Sequence, residues 1–148
     1  MKNYDEHLRK LRDLYVNATP KKRISVAEDR IKYPSCGPNQ LIHMMAAVES
    51  LARTIAIYQR AETKTALKRE YRKVRDTNPI ELIEDYICPR IGKTPSKLLG
   101  RNNWIKLKFA NKYRNFLIHE CAFLRQGISK ELIKVSKNTF KKLKKLIR

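Results

Sequence analysis

The chain has few of the residues that build turns, cross-links or metal sites. Its 148 residues include only 4 glycines, which provide little turn chemistry for a many-stranded β protein. The 3 cysteines, Cys36, Cys88 and Cys121, are odd in number and form no Cys-x-x-Cys pair. A disulfide framework and a zinc site are therefore both disfavoured. We expect a helical protein in a reducing, cytoplasmic compartment.

Long apolar runs are missing as well. No stretch of 18 consecutive apolar residues occurs, and residues 1–7 lack the apolar segment of a signal peptide. On this basis we expect no membrane-spanning helix. The hydrophobic share of 42% is nevertheless sufficient for a core, and 148 residues correspond to one domain. We therefore predict a single domain over 1–148.

Acidic residues are scarce. The chain has 34 Lys and Arg residues against 14 Asp and Glu residues, which gives a net charge of +20. The excess is uneven, because residues 1–50 carry 9 basic and 6 acidic side chains, whereas residues 101–148 carry 14 and 2, a net +12. Such an excess repels itself in a compact fold and is typical of proteins that bind polyanions. Nucleic acid is the first expectation and an anionic membrane the second.

The apolar pattern predicts helices. Over 41–58, 13 of 18 residues are apolar, and over 104–124 the count is 13 of 21. A helix that is apolar around most of its circumference usually lies at the centre of a bundle. We predict an all-α bundle of about five to six helices, with two long central helices at roughly 40–75 and 104–124.

Capping residues predict where shorter helices begin and end. Asn78, followed by Pro79 and then an acid, is typical of a helix start, and Thr94 precedes a second Pro in the same way. Thr94 and Pro95 are expected to open a short turn that closes near Gly100. Gly127 is expected to end the second central helix, because glycine readily adopts the left-handed conformation beyond a helix.

Common catalytic and cofactor motifs do not fit. Segment 92–94 resembles the end of a P-loop, but Ile87 stands where the first glycine of Gly-x4-Gly-Lys-Thr is required. The histidines His7, His43 and His119 do not share metal-ligand spacing with cysteines or acids. We expect neither a cofactor nor a metal ion.

One polar motif interrupts the second apolar segment. Residues 114–119, RNFLIH, place Arg114, Asn115 and His119 inside one of the two most apolar segments of the chain. Buried polar groups are costly unless they are paired, so three in one helix need partners or a function. Asn115 and His119 share a helix face, whereas Arg114 lies about 140° away from His119. Arg114 must swing towards that face or meet the site across a symmetric dimer.

This R-x4-H string resembles the signature of HEPN-domain proteins, and most closely that of HepT-like toxins. The resemblance extends to the position of the motif in the penultimate helix, the chain length, the all-α pattern and the basic charge. It implies a metal-independent endoribonuclease of a toxin–antitoxin or antiphage system. It further implies a homodimer whose motif helices face each other, with Arg114 and His119 catalytic and Asn115 supporting them.

The resemblance also implies a cognate antitoxin of the nucleotidyltransferase type. HepT-like proteins commonly carry a tyrosine two residues after the histidine, and that tyrosine is the target of nucleotidylation. This sequence has Cys121 at that position. The departure affects the route of modification and not the cleavage chemistry.

The chemistry suits the residue types. RNA carries its own nucleophile, the 2′-OH, so a proton acceptor and a stabiliser of negative charge can be sufficient. Imidazole exchanges a proton near neutral pH, and the planar guanidinium binds phosphate oxygens in pairs. DNA lacks the 2′-OH and should resist this mechanism.

Glu49 is the second unusual polar residue, because it is the only acid between Asp29 and Glu62 and lies in the other apolar segment. Two interpretations remain open. Glu49 can pair with Arg53 one turn away, which is slightly favoured, or reach across the bundle to orient Arg114.

Lysines repeat along the predicted last helix, from about 129 to 148. They share one face, which lies about half a turn away from the apolar stripe of that helix. A solvated face usually mixes charges of both signs, but this stripe contains no acid, which favours contact with a phosphate backbone over contact with a membrane. The residues predicted to bind RNA are Lys130, Lys134, Lys137, Lys141, Lys144 and Arg148.

Two other functions compete with the ribonuclease. The stronger is a non-catalytic, basic helical subunit that binds RNA within a ribonucleoprotein or defence complex. The weaker is a helical DNA-binding regulator, because no convincing compact helix-turn-helix is present. Convergence of Arg114 and His119 on one cleft is the feature that separates the ribonuclease from the binding subunit.

Overall fold

The computed structural model describes residues 4–32, 38–58, 63–119 and 126–147. Within these ranges the chain forms eight α-helices and no strand, which confirms the all-α class. A π-helical segment, Leu82–Ile87, and a 3-10 turn, Cys88–Ile91, join the fifth helix to the sixth. The helices are α1 Tyr4–Asn17, α2 Pro20–Lys32, α3 Pro38–Tyr58, α4 Lys64–Val74, α5 Pro79–Glu81, α6 Pro95–Leu99, α7 Arg101–His119 and α8 Gln126–Lys144.

The predicted number of five to six helices is too low. The main reason is the segment 40–75, which was expected to be one helix but contains a new helix start at Lys64. Thr63 has an extended backbone, with φ −129° and ψ 161°, and its side chain accepts a backbone N–H of the first turn of α4. This is the geometry of an N-cap, so α4 is a separate helix. α2 begins at Pro20, which occupies the first turn of the helix, where the missing backbone N–H of proline is tolerated.

Most of the capping predictions are confirmed. The side chains of Asn78 and Thr94 accept backbone N–H groups at the starts of α5 and α6. Gly100 follows α6 with φ +87°, a conformation that suits glycine. The prediction for Gly127 is wrong, since this residue lies in the first turn of α8 and its φ is not positive. Glycine alone does not distinguish a helix end from a helix start.

α3 is the central helix of the bundle and packs against α2, α4, α7 and α8. By length and composition Asn39–Tyr58 could cross a membrane, but 61% of its most apolar window is buried within the protein. That burial is the position expected of a core helix. The largest fully buried side chains are Leu41, Met44, Met45, Val48, Leu51, Ile57, Leu82, Ile83, Ile87, Leu99, Leu107 and Leu143.

α1 is attached to the bundle near its C-terminal end. The Tyr15 ring meets the Tyr71 ring of α4 edge-on, with centroids 5.7 Å apart. The buried guanidinium of Arg23 stacks 4.2 Å from the centroid of the Tyr15 ring and donates from Nη2 to the Val16 carbonyl at 3.0 Å. A guanidinium on an aromatic face stabilises the contact between α1 and α2. Val16 of α1 is buried, whereas the three leucines of this helix are exposed: Leu8, Leu11 and Leu14.

Candidate functional site

α7 places the segment 114–119 on the border between the core and the surface. Its buried side chains recur every three or four residues and pack into the core, as expected for one face of a helix. The opposite face carries large apolar side chains that are exposed. The buried set is Trp104, Leu107, Ala110 and Asn111, and the exposed set on the opposite face is Ile105, Phe109, Tyr113 and Phe116. Ile118 is also exposed, but it lies near the end of the helix on the core-facing side.

Arg114 turns towards α3, where it meets Glu49. Its Nη1 lies 2.9 Å from Glu49 Oε2, and the two side chains are 22% and 18% exposed. The other carboxylate oxygen, Oε1, accepts a hydrogen bond from Arg53 Nη2 at 2.6 Å. Both contacts that the sequence left as alternatives for Glu49 are therefore present. One carboxylate bridges two arginines and ties α7 to α3.

Arg53 anchors this bridge to the backbone. Its Nε donates to the Val74 carbonyl at 3.1 Å, and its Nη2 donates to the Thr77 carbonyl at 3.0 Å. These carbonyls belong to the end of α4 and the link to α5. The i, i+4 spacing with Glu49 was visible in the sequence, but the carbonyl acceptors depend on the tertiary fold. Arg53 thus holds one carboxylate oxygen of Glu49, and Arg114 contacts the other.

The cluster carries a net positive charge and is incompletely hydrogen-bonded. Arg53 and Arg114 share the single carboxylate of Glu49, so one positive charge is not neutralised. Buried atoms without a hydrogen bond among the described residues include Arg114 Nε, Glu49 Oε2 and Asn111 Oδ1. Glu49 Oε2 is close to Arg114 Nη1, but the contact is an ion pair without an aligned N–H. Such groups are uncommon in folded proteins and require a reason, of which a functional role is one.

His119 and Asn115 lie on the other side of α7. Both side chains are exposed, whereas Arg114 is partly buried against α3. Helical geometry separates Arg114 from His119 by about 140° around the axis and about 7.5 Å along it. Within the single chain the structure therefore brings Glu49 and Arg114 together, but it does not bring Arg114 and His119 together.

The lysines in the stripe of α8 differ in their exposure and pairing. Lys130, Lys134 and Lys141 are exposed, and Lys137 is partly buried. Lys144 forms an ion pair with Glu28 of α2. An acidic side chain therefore contacts the lysine stripe, and it comes from a helix that is distant in the sequence. Arg148, which was also predicted to bind RNA, lies outside the described residues.

The cysteines contribute no reactive site among the described residues. Cys88 is buried, and this burial raises the pKa of its thiol, so the nucleophilic thiolate is disfavoured at neutral pH. Cys36 and Cys121 lie outside the described residues. In the part of the chain that the structure describes, no group of three His, Cys, Asp or Glu side chains could hold a metal ion.

Comparison with known proteins identifies no relative of this chain. No family model, no curated protein and no solved structure matches it. The assignment of a function therefore depends on the residues of the site, on the charge of the surface and on the resemblance of segment 114–119.

Proposed function

We propose that the protein is a metal-independent endoribonuclease of the HEPN type, acting in a toxin–antitoxin or antiphage setting. The observation that carries the proposal is the Arg114–Glu49 ion pair. It holds the arginine of the R-x4-H segment at the edge of the core, in an all-helical chain with a net charge of +20. An arginine that only covered the surface would not need a partly buried carboxylate from another helix.

The proposed reaction assigns one role to each residue. His119 accepts the proton of a ribose 2′-OH, and the oxygen attacks the adjacent phosphorus. Arg114 stabilises the negative charge that develops on the phosphate, and Asn115 supports the site as a polar neighbour. The bond from phosphorus to the 5′ oxygen breaks, that oxygen takes up a proton, and the products are a 2′,3′-cyclic phosphate and a 5′-OH.

A homodimer would bring the separated residues into one cleft. The apolar face of α7 that points to solvent includes Phe109 and Phe116, which are 51% and 59% exposed. A row of large apolar side chains on a surface usually marks an interface. Helical geometry places His119 about 60° around the axis from Phe116 and about 80° from Phe109, so a second α7 on the same face would meet both. The dimer supplies two copies of the motif to one site.

Charge placed on that face is expected to prevent dimerisation. Phe109→Glu combined with Phe116→Glu should convert the dimer into a monomer, because two buried carboxylates per protomer would lack partners at the interface. Light scattering at micromolar concentration gives the mass. Leu14→Glu on α1, at a residue that is 69% exposed, is the matched control and should leave the dimer intact. A monomeric wild-type protein would contradict the proposal.

The activity itself is tested by incubating the protein with total RNA in EDTA. The proposal predicts cleavage without added metal and no cleavage of single-stranded DNA of similar length. Loss of activity in EDTA that returns with a divalent ion would contradict the mechanism.

A cognate antitoxin of the nucleotidyltransferase type is proposed as the partner that restrains this activity.

The second candidate is a non-catalytic RNA-binding subunit. The observation that favours it is the separation of Arg114, turned to α3, from His119, which is exposed on another side of α7. In that case the ion pair would serve only the packing of α3 against α7. Retained RNA binding without cleavage of any RNA would select this candidate.

A further inference from the structure

α4 separates its basic side chains into two groups. Five of its eleven residues are Lys or Arg, and its single acid, Glu70, is turned inwards and only 5% exposed. Lys73 donates to Glu70 Oε1 at 2.9 Å, and Arg69 approaches the same oxygen at 3.3 Å. The hydrogen bond from Lys73, with that from Arg69, holds the pKa of the Glu70 carboxyl below its usual value. These two cations are therefore paired within the helix, although they share a single carboxylate.

The remaining cations form a continuous stripe. Lys64, Lys68 and Arg72 recur every four residues, which places them within about 80° of one another and about 6 Å apart along the helix axis. All three are exposed, and none forms an ion pair with another described residue. Because the only acid of α4 faces away, this surface does not have the mixed charges of an ordinary solvated face.

An open cavity of about 400 Å³ adjoins the stripe. Asn17 at the end of α1 and Thr65 line it together with Lys64 and Lys68. It therefore offers a carboxamide and a hydroxyl beside two ammonium groups. Cations beside neutral hydrogen-bonding groups suit a phosphodiester chain, in which each phosphate is followed by a sugar with hydroxyl groups. Among the described residues, α4 exposes no large apolar side chain next to the stripe, which disfavours a membrane surface.

We propose that Lys64, Lys68 and Arg72 form a second RNA-binding surface, which holds the backbone of a single-stranded RNA with one nucleotide in the adjoining cavity. RNA as the ligand rests on the proposed function. The surface is connected to the candidate site, because Arg53 binds the carbonyl of Val74 at the end of α4 and also the carboxylate of Glu49. RNA on α4 and RNA at α7 would belong to the same bound strand.

The test compares two variants that lose the same charge. Lys64→Gln combined with Lys68→Gln removes two members of the stripe. Lys10→Gln combined with Lys106→Gln removes one exposed and one partly exposed lysine, which are paired with Glu6 and Glu131. The probe is a fluorescent single-stranded RNA with 2′-O-methyl groups, which cannot be cleaved by 2′-OH attack. Its affinity is measured by anisotropy over a series of salt concentrations.

The stripe variant should weaken binding on the order of tenfold at 0.1 M salt and lower the salt slope by about 1.4, since each lost single-strand phosphate contact contributes about 0.7. The control variant should bind like the wild type. Equal losses in both variants, or no loss in the stripe variant, would overturn the proposal. Circular dichroism must show both variants folded. The probe resists cleavage, so the two proposals can fail separately. If the protein binds the probe through α4 but cleaves no ordinary RNA, the ribonuclease proposal is contradicted and the proposal for the α4 surface is supported.

Discussion

Replacing His119 or Arg114 with alanine is expected to lower the rate of RNA cleavage by at least about a hundredfold, a typical cost of losing a general base or an electrostatic stabiliser. RNA binding should change far less, because the lysines of α4 and α8 remain in place. The measurement is single-turnover cleavage of a labelled RNA by each variant. Combining the two substitutions should cost less than the product of the single effects, because residues that act together in one step are not additive.

Matched controls come from other exposed residues that carry an imidazole or a positive charge. His7→Ala removes an exposed histidine from α1, and Lys112→Ala removes an exposed cation from α7. Both should cleave at nearly the rate of the wild type. Circular dichroism and thermal unfolding must show the Arg114 variant folded, since loss of its contact with Glu49 could mimic a catalytic defect. Undiminished cleavage by the folded double variant would place the active site elsewhere.

Glu49→Gln should have the next largest effect. The substitution keeps the shape of the side chain but removes the charge that holds Arg53 and Arg114. We expect kcat to fall at least about tenfold with a smaller change in KM, because Arg114 would no longer be fixed near the scissile phosphate. We also expect the free energy of unfolding to fall by about 1–3 kcal/mol, since two partly buried guanidinium groups lose their carboxylate.

Glu131→Gln provides the comparison for this variant. It removes the same charge from another pair between helices, Glu131 with Lys106, which is largely exposed. Exposed ion pairs contribute about 0–1 kcal/mol, so this variant should be nearly as stable and as active as the wild type. The stability result is independent of catalysis. A Glu49→Gln protein with unchanged stability and unchanged kcat would show that the bridge has neither a structural nor a positioning role.

The sequence predicted those parts of the fold that depend on local chemistry. Asn78 and Thr94 cap helices as expected, because a side chain that accepts the N–H groups of the next turn needs no distant partner. Thr63 performs the same function, but its cap was missed because the segment 40–75 contains no glycine or proline to mark a break between helices. Gly127 was assigned to a helix end although it lies in a helix start.

Among the contacts of Glu49, the sequence predicted the local one more readily than the one that depends on tertiary structure. The spacing of Glu49 and Arg53 is local and was correctly read as a pair. The contact of Glu49 with Arg114 depends on how α3 crosses α7, and the sequence could offer it only as an alternative. The carbonyl acceptors of Arg53 depend on the same tertiary arrangement. The pairing of Lys144 with Glu28 joins residues far apart in the chain, which no periodicity reveals.

The most direct test of the central claim is an analysis of the ends produced when the wild-type protein cleaves a defined single-stranded RNA in EDTA. The account predicts a 2′,3′-cyclic phosphate on one fragment and a 5′-OH on the other. It also predicts complete resistance of the same strand when a single 2′-deoxynucleotide replaces the nucleotide that carries the attacking hydroxyl. Fragments that carry a 5′-phosphate, or cleavage that continues at the 2′-deoxy position, would show that the 2′-OH is not the nucleophile and would contradict the account.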